Sequence, residues 1–269
     1  MTKIPDIAFI GAGNMGTAML RGLIASGSIP AAQVHACDLN AERLQAQAAS
    51  LGFKAEPDAV AAVQSAKVIV LATKPQGFAE LLPTLTPYVK SDQLVVSIAA
   101  GKTLGMLQQH FPAVPVIRVM PNTPGLIGEG VSAYCIGSEA STEHALIVEA
   151  VLKPLGRVLR VEEKSMDAVT ALSGSGPAYI FLFMEALQAA GQALGLSEQD
   201  SFGLAAETIR GAAGMIIQKE FSPAVLREKV TSPGGTTAAA IKVFEEGGLR
   251  ELTLKAMTAA RDRSIELGK

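Results

Sequence analysis

Cysteine is nearly missing from this chain of 269 residues. There are two, Cys37 and Cys135, each inside a strand-like apolar run. So sparse a supply argues against a disulfide-stapled scaffold and for buried free thiols in a reducing compartment. Charge of one sign is also lacking: the formal net charge of −2 gives no electrostatic reason to expect nucleic acid or an anionic membrane as partner. No clean apolar run of bilayer-spanning length occurs. The most apolar stretch, AYIFLFMEALQAAGQALGL, is interrupted by Glu185, Gln188 and Gln192 and reads as a buried helix. The first residues, MTKIPDIAFIGAG, enter a strand almost at once without the cleavage site of a secretory signal, so a cytoplasmic, soluble protein is expected. Histidine is scarce. His35, His110 and His144 all lie before residue 163 and read as structural or surface residues. With no cluster of metal-ligand spacing, no metal is expected.

What is present is apolar: 49% hydrophobic against 18% charged residues, enough for one large domain or two moderate ones with proper cores. Strands are expected at 6–11, 34–38, 67–73, 94–99, 115–120, 131–137 and 157–161. Segments such as MGTAMLRGLIASG and NAERLQAQAASLG lie between the early ones, each closed by a glycine as helix C-termini often are. Apolar strands alternating with helices imply parallel strands covered on both faces. After about Glu162 the strand signal stops, and helices are expected at 177–195, 198–219, 223–230, 237–246 and 249–267. The fold class is therefore α/β: an N-terminal Rossmann-type doubly wound sheet (1–163), then an all-α domain (164–269). A hundred residues of helix make a small core alone, and the small residues of GLAAETIRGAAGMII permit close approach. This half is expected to bury surface against a second subunit.

The first strand runs straight into Gly11-Ala12-Gly13-Asn14-Met15-Gly16, with a helix behind it. In that context G-x-G-x-x-G is a dinucleotide fingerprint. Gly11 serves the tight turn, Gly13 the approach of the diphosphate, and Gly16 the packing of helix on strand. The diphosphate then meets a helix N-terminus, which favours negative charge. The second strand ends at Asp38, with Arg43 just beyond. An acid there takes the ribose hydroxyls of NAD and a nearby arginine accommodates the extra phosphate of NADP, so the pair leaves NADPH and NADH both open. Ala72-Thr73-Lys74-Pro75 and Asn122 stand at the ends of later strands, where ligands of doubly wound folds lie; ordinary turn chemistry is the other reading of Asn122.

Two further segments, LSGSGPAY (172–179) and VTSPGGTT (230–237), each place glycines and small hydroxyls before a helix, with neither Cys, His nor paired carboxylates. Hydride transfer suits such a site, because the nicotinamide supplies the reacting atom and the protein mainly orients. In SPGGTT, Pro233 stiffens the turn and Gly234 and Gly235 accept angles other residues resist. The amides of residues 234–237 are expected to face outward at a helix start, where a small carboxylate is held without arginine or lysine.

With FIGAGNMG (9–16), ATKP (72–75), VVSIAAG (95–101), MPNTP (120–124), ALSGSGPAY (171–179) and VTSPGGTT (230–237) in order along nearly the whole chain, the sequence resembles 1-pyrroline-5-carboxylate reductase, the enzyme of the last step of proline biosynthesis. The resemblance implies reduction of the ring C=N bond of 1-pyrroline-5-carboxylate to L-proline with NADPH or NADH. It implies substrate contacts at Ser232, Gly234, Gly235 and Thr237, with Glu220 from the preceding loop, and Thr237 as the catalytic hydroxyl beside the ring nitrogen. Ser173 to Pro177, Ser175 included, would shape the pocket near the nicotinamide. It also implies a homodimer with intertwined C-terminal helices, assembling further, up to a decamer of dimers. Two alternatives stand beside it. A β-hydroxyacid dehydrogenase would carry a lysine on the helix near the nicotinamide, and SGSGPAYIFLF has none. A non-catalytic dinucleotide-binding sensor would not need SPGGTT.

Overall fold

The computed structural model describes residues 2–218 and 221–268. Eight strands form one sheet: β1 (Ile7–Ile10), β2 (Val34–Cys37), β3 (Lys54–Ala55), β4 (Val68–Leu71), β5 (Leu94–Ser97), β6 (Val116–Met120), β7 (Gly130–Ile136) and β8 (Gly156–Arg160). Their order is β3-β2-β1-β4-β5-β6-β7-β8, parallel throughout except where β7 runs antiparallel to β6. Every residue of β1, β2, β4 and β5 is buried. Covered on both faces, these strands read as near-continuous apolar runs, interrupted only by His35 in β2 and Ser97 at the end of β5, which is why they are legible. β3 is two residues long and half-exposed, too short for any periodicity, and the sequence reading missed it.

The crossovers are α1 (Asn14–Ala25), α2 (Ala41–Leu51), α3 (Ala59–Gln64), α4 (Phe78–Leu85) and α5 (Leu104–His110), with α6 (Thr142–Leu152) between β7 and β8. Met19, Leu20 and Leu23 of α1, Leu44 of α2 and Val148 and Val151 of α6 pack with Phe9, Val70 and Ile117 on one face. Val63 of α3, Leu82 and Leu85 of α4 and Leu107 of α5 pack with Ile10, Ile69 and Val95 on the other. The winding is double, as expected.

Beyond β8 come α7 (Met166–Val169), a π-helical turn (Thr170–Gly174), α8 (Gly176–Ala193), α9 (Glu198–Gln218), α10 (Pro223–Lys229), α11 (Thr236–Glu246) and α12 (Leu249–Leu267). The SGSG segment thus lies inside a helical stretch rather than in a loop before one: Ser175 donates its amide to Thr170 O at 2.8 Å, five residues back. The chain divides into two compact units, one running through Ser175 and taking back the chain from Ala260, the other spanning Gly176–Ala259. In the second unit α8 buries none of its residues, and Phe181, Leu182, Leu204, Ile217, Val243 and Leu254 are exposed. An apolar surface of that extent marks an association surface. No helix among the described residues is long and apolar enough to cross a membrane.

Both cysteines are buried and free. Burial pushes the Cys37 thiol up to about 11 and the Cys135 thiol up to about 12. A thiol whose folded pKa exceeds its unfolded value of 9.0 favours the fold while protonated in both states. Its contribution is present below pH 9 and is lost as pH rises through 11–12. A thiol-reactive chromogen at pH 8 should therefore label neither cysteine in the folded protein and both in denaturant. Stoichiometric labelling of the native chain would contradict the burial. His35 is likewise structural, with Nδ1 2.7 Å from Glu56 Oε1, and His144 caps α6 with Ser141.

Candidate functional site

The carboxyl ends of β1, β2, β4 and β6 converge on one edge of the sheet. At that edge Gly11 has φ of +104°, and its amide donates to Cys37 O at 2.9 Å. A side chain there would meet the Ala72 backbone at 2.9 Å, so turn shape and close packing both require glycine. Gly16 is tighter still: a Cβ would lie 2.4 Å from Gly11 O. Gly13 is different. A Cβ on it meets nothing within 4 Å, so its missing side chain leaves open space directly above the start of α1. Asn14 is exposed and Met15 half-buried at the same helix start, whose first-turn amides have no intrahelical acceptor. Ala12, the remaining residue of the fingerprint, is buried.

Asp38 and Arg43 come together here, and they engage each other. Asp38 Oδ2 accepts the Ala12 amide at 2.7 Å; Oδ1 accepts from Asn40 N and from Arg43 Nη2, both at 2.9 Å. The carboxylate thus latches the glycine turn to the end of β2, while the Arg43 side chain stays 45% exposed over that edge. Thr17 and Gln47, which sequence reasoning passed over, continue the latch. Thr17 Oγ1 donates to Ala12 O at 2.8 Å and accepts from Gln47 Nε2 at 3.1 Å. Nothing in one sequence pairs Gln47 with a turn thirty residues earlier. A groove of about 540 Å³ runs from Gly13 and Asn14 along α1 past Arg43 to Arg21 and Gly128.

Just past β4, Ala72 N donates back to Ile10 O at 2.9 Å, Thr73 Oγ1 is buried with no partner among the described residues, and exposed Lys74 caps a 3-10 turn opened by Pro75. Asn122 is partly occupied: its Oδ1 accepts the Val131 amide at 2.9 Å and so aligns the start of β7. Ser175 closes the same unit, one residue after Gly174, whose missing side chain makes room for Met120.

Ser232 to Thr237 belong to the second unit. Gly235 N donates to Ser232 O at 3.0 Å, with Pro233 second and Gly234 third at φ +72°. Proline followed by a positive-φ glycine is what a type II turn requires. The amide of Gly235 is therefore spent inside the turn, and the outward donors are the first amides of α11, those of Thr236 and Thr237. Thr237, half-buried in the first turn of α11, makes no side-chain hydrogen bond among the described residues. Glu220 lies outside the described residues.

Comparison with known proteins places both halves of the chain. Residues 163–267 match the model described as pyrroline-5-carboxylate reductase dimerisation, and residues 6–101 that of NADP oxidoreductase, coenzyme F420-dependent. A pyrroline-5-carboxylate reductase of Pseudomonas aeruginosa is 42% identical over 98% of this chain and 97% of its own length. Among solved structures, that of a pyrroline-5-carboxylate reductase from Coxiella burnetii has a TM-score of 0.91 and 37% identity, covering 98% of this chain and 99% of that one. The Plasmodium falciparum pyrroline carboxylate reductase, solved with NADP bound, has a TM-score of 0.90 and 29% identity over the full length of both chains. With relatives of that identity covering nearly its whole length, this chain belongs to the pyrroline-5-carboxylate reductase family.

Proposed function

We infer that this chain reduces 1-pyrroline-5-carboxylate to L-proline with NADPH or NADH, the last step of proline biosynthesis. The observation that carries the reading is the match of the whole chain, both units together, to reductases of that name. The residues of the sheet edge fit a dinucleotide: open space over Gly13, free amides at the start of α1, and an orphaned Thr73 hydroxyl. In this reading Gly11 to Gly16, Asp38, Arg43, Ala72 to Pro75 and Asn122 hold the cofactor. Bound there, it supplies the hydride.

The chain's own residues bind and orient the ring. The outward amides of Thr236 and Thr237 take the substrate carboxylate, each charged hydrogen bond contributing about 1.5–3 kcal/mol. Ser232, Gly234 and Gly235 set the shape of that turn, with Ser175 and Glu220 as further contacts. The Thr237 hydroxyl hydrogen-bonds the ring nitrogen, holding the iminium proton in place as charge leaves the C=N bond. The dimerisation match and the exposed apolar faces of α8, α9 and α11 support a homo-oligomer. Its finer form, a homodimer with intertwined C-terminal helices and larger assemblies of dimers, belongs to the same proposal, as does a cytoplasmic location.

Loss of NAD(P)H absorbance on adding 1-pyrroline-5-carboxylate tests the reading. Turnover of a hydroxy acid instead would overturn it. Two variants refine it. Gly234→Val puts a β-branched residue at φ +72° in the turn, so KM for the pyrroline should rise far more than KM for the dinucleotide; equal effects would mean that the turn does not hold the carboxylate. Arg43→Ala should lower kcat/KM with NADPH about tenfold more than with NADH, the loss expected for one charged contact to a phosphate. Equal losses would leave Arg43 a latch for Asp38 alone.

A further inference from the structure

The turn from β5 into α5, residues 98–103, is held from the far end of the chain. Gly101, at φ +76°, is packed so closely that a Cβ would lie 2.8 Å from Leu267 Cβ and 2.9 Å from Ser264 O. Next to it, Lys102 Nζ donates to Leu267 O at 3.0 Å. Ser264 is 3% exposed, and its hydroxyl donates to Asp167 Oδ1 at 2.7 Å. Asp167 in turn faces Arg118 Nη2 at 3.6 Å, while Arg118 Nη1 lies 3.6 Å from Glu163 Oε1. Glu163 Oε1 also accepts the amide of Leu104, the first residue of α5. Arg118 itself is 2% exposed on β6, in register with Ser97, the last residue of β5.

One buried guanidinium thus anchors two carboxylates, and through them both flanks of a single turn. Glu163 fixes the Leu104 side, and Asp167 fixes Ser264 and with it the segment lying over Gly101. Arg118 is the buried member, and leaving its charge unpaired away from water is costly, so it holds the two partly exposed carboxylates in place. The turn it shapes stands at the carboxyl end of β5, between the ends of β4 and β6 where Thr73 and Asn122 stand. In a doubly wound sheet that edge is where the ligand lies.

We propose that Arg118, Glu163, Asp167 and Ser264 are positioning residues that use the C-terminal segment to hold the β5–α5 turn in the shape that receives the dinucleotide. This rests on the dinucleotide reading of the sheet edge. Loosening Ser264 from Asp167 lowers the fraction of molecules with the turn in place, and apparent affinity falls by that fraction.

The test is a fluorescence titration of the full-length protein with NADPH, without pyrroline, on wild type, Ser264→Ala and Ser264→Thr. Ser264→Ala should raise the NADPH Kd roughly 3- to 10-fold by the loss of competent fraction, and Ser264→Thr should restore it. Hydrogen exchange should speed up at the amides of residues 99–104 while those of β1 keep their protection. An unchanged Kd, or faster exchange throughout the sheet, would overturn the proposal and leave the network purely structural. If wild type binds NADPH yet fails to turn over pyrroline carboxylate, the substrate reading fails and this one stands. If wild type binds neither NADPH nor NADH in the same titration, both fail.

Discussion

Gly13→Ala should unfold at the wild-type temperature and yet raise the KM for the dinucleotide at least about tenfold, a loss of ~1.4 kcal/mol in binding. The two halves of that expectation come from different facts. A Cβ on residue 13 meets no atom within 4 Å, so the folded protein has nothing to lose. In the proposed reading, the space it would fill is the path by which a diphosphate reaches the amides that open α1. Gly16→Ala should behave otherwise. Its Cβ would stand 2.4 Å from Gly11 O, a backbone atom that moves only if the turn moves. Overpacking of this kind costs about 1–3 kcal/mol, so both the melting temperature and dinucleotide affinity should fall. Thermal melts paired with steady-state kinetics separate the two variants. A Gly13→Ala protein with wild-type KM would move the diphosphate away from this turn, and one with a lowered melting temperature would contradict the open geometry.

Thr237→Ala should lower kcat/KM for the pyrroline about 100-fold, at the low end of what a positioned proton-handling group contributes, and leave the dinucleotide KM unchanged. Threonine is a poor acid, so the loss reports orientation or relay of a proton already on the ring nitrogen rather than its donation from the hydroxyl. The side chain is suited to that work: half-buried in the first turn of α11 and without a protein partner among the described residues. Thr237→Ser, which keeps the hydroxyl, should recover most of the activity. Wild-type kcat and KM in Thr237→Ala would remove the residue from the mechanism. A loss of melting temperature equal to that of Gly16→Ala would assign it to packing.

Much of this protein is legible in the order of its residues because its information is local. β1 and β4 are apolar at every position, β2 and β5 at all but His35 and Ser97, and all four are buried throughout, so their near-continuous apolar runs reveal them. Gly11 answers to turn shape and Gly16 to close packing on that turn, and such requirements are met by residue type within one turn. That Ser232 to Gly235 form a turn was readable for the same reason, since proline stiffens it and the glycines accept its angles; its type was not. That the Gly235 amide closes this turn, rather than facing outward, was not: a donor's direction depends on coordinates.

The chain's order therefore determined the sheet's parallel strands, the fingerprint turn, the helical second half and the residue types at the sheet edge and before α11. Tertiary structure alone decided which of those residues are spoken for. Asp38 holds the Ala12 amide and Arg43, Asn122 holds Val131, and Thr17 and Gln47 lock the turn from a neighbouring helix. It alone joined Arg118 to Asp167 and Ser264. Hydrogen bonds and ion pairs act through space over a few ångströms, and partners far apart in the chain become neighbours only when the sheet is built.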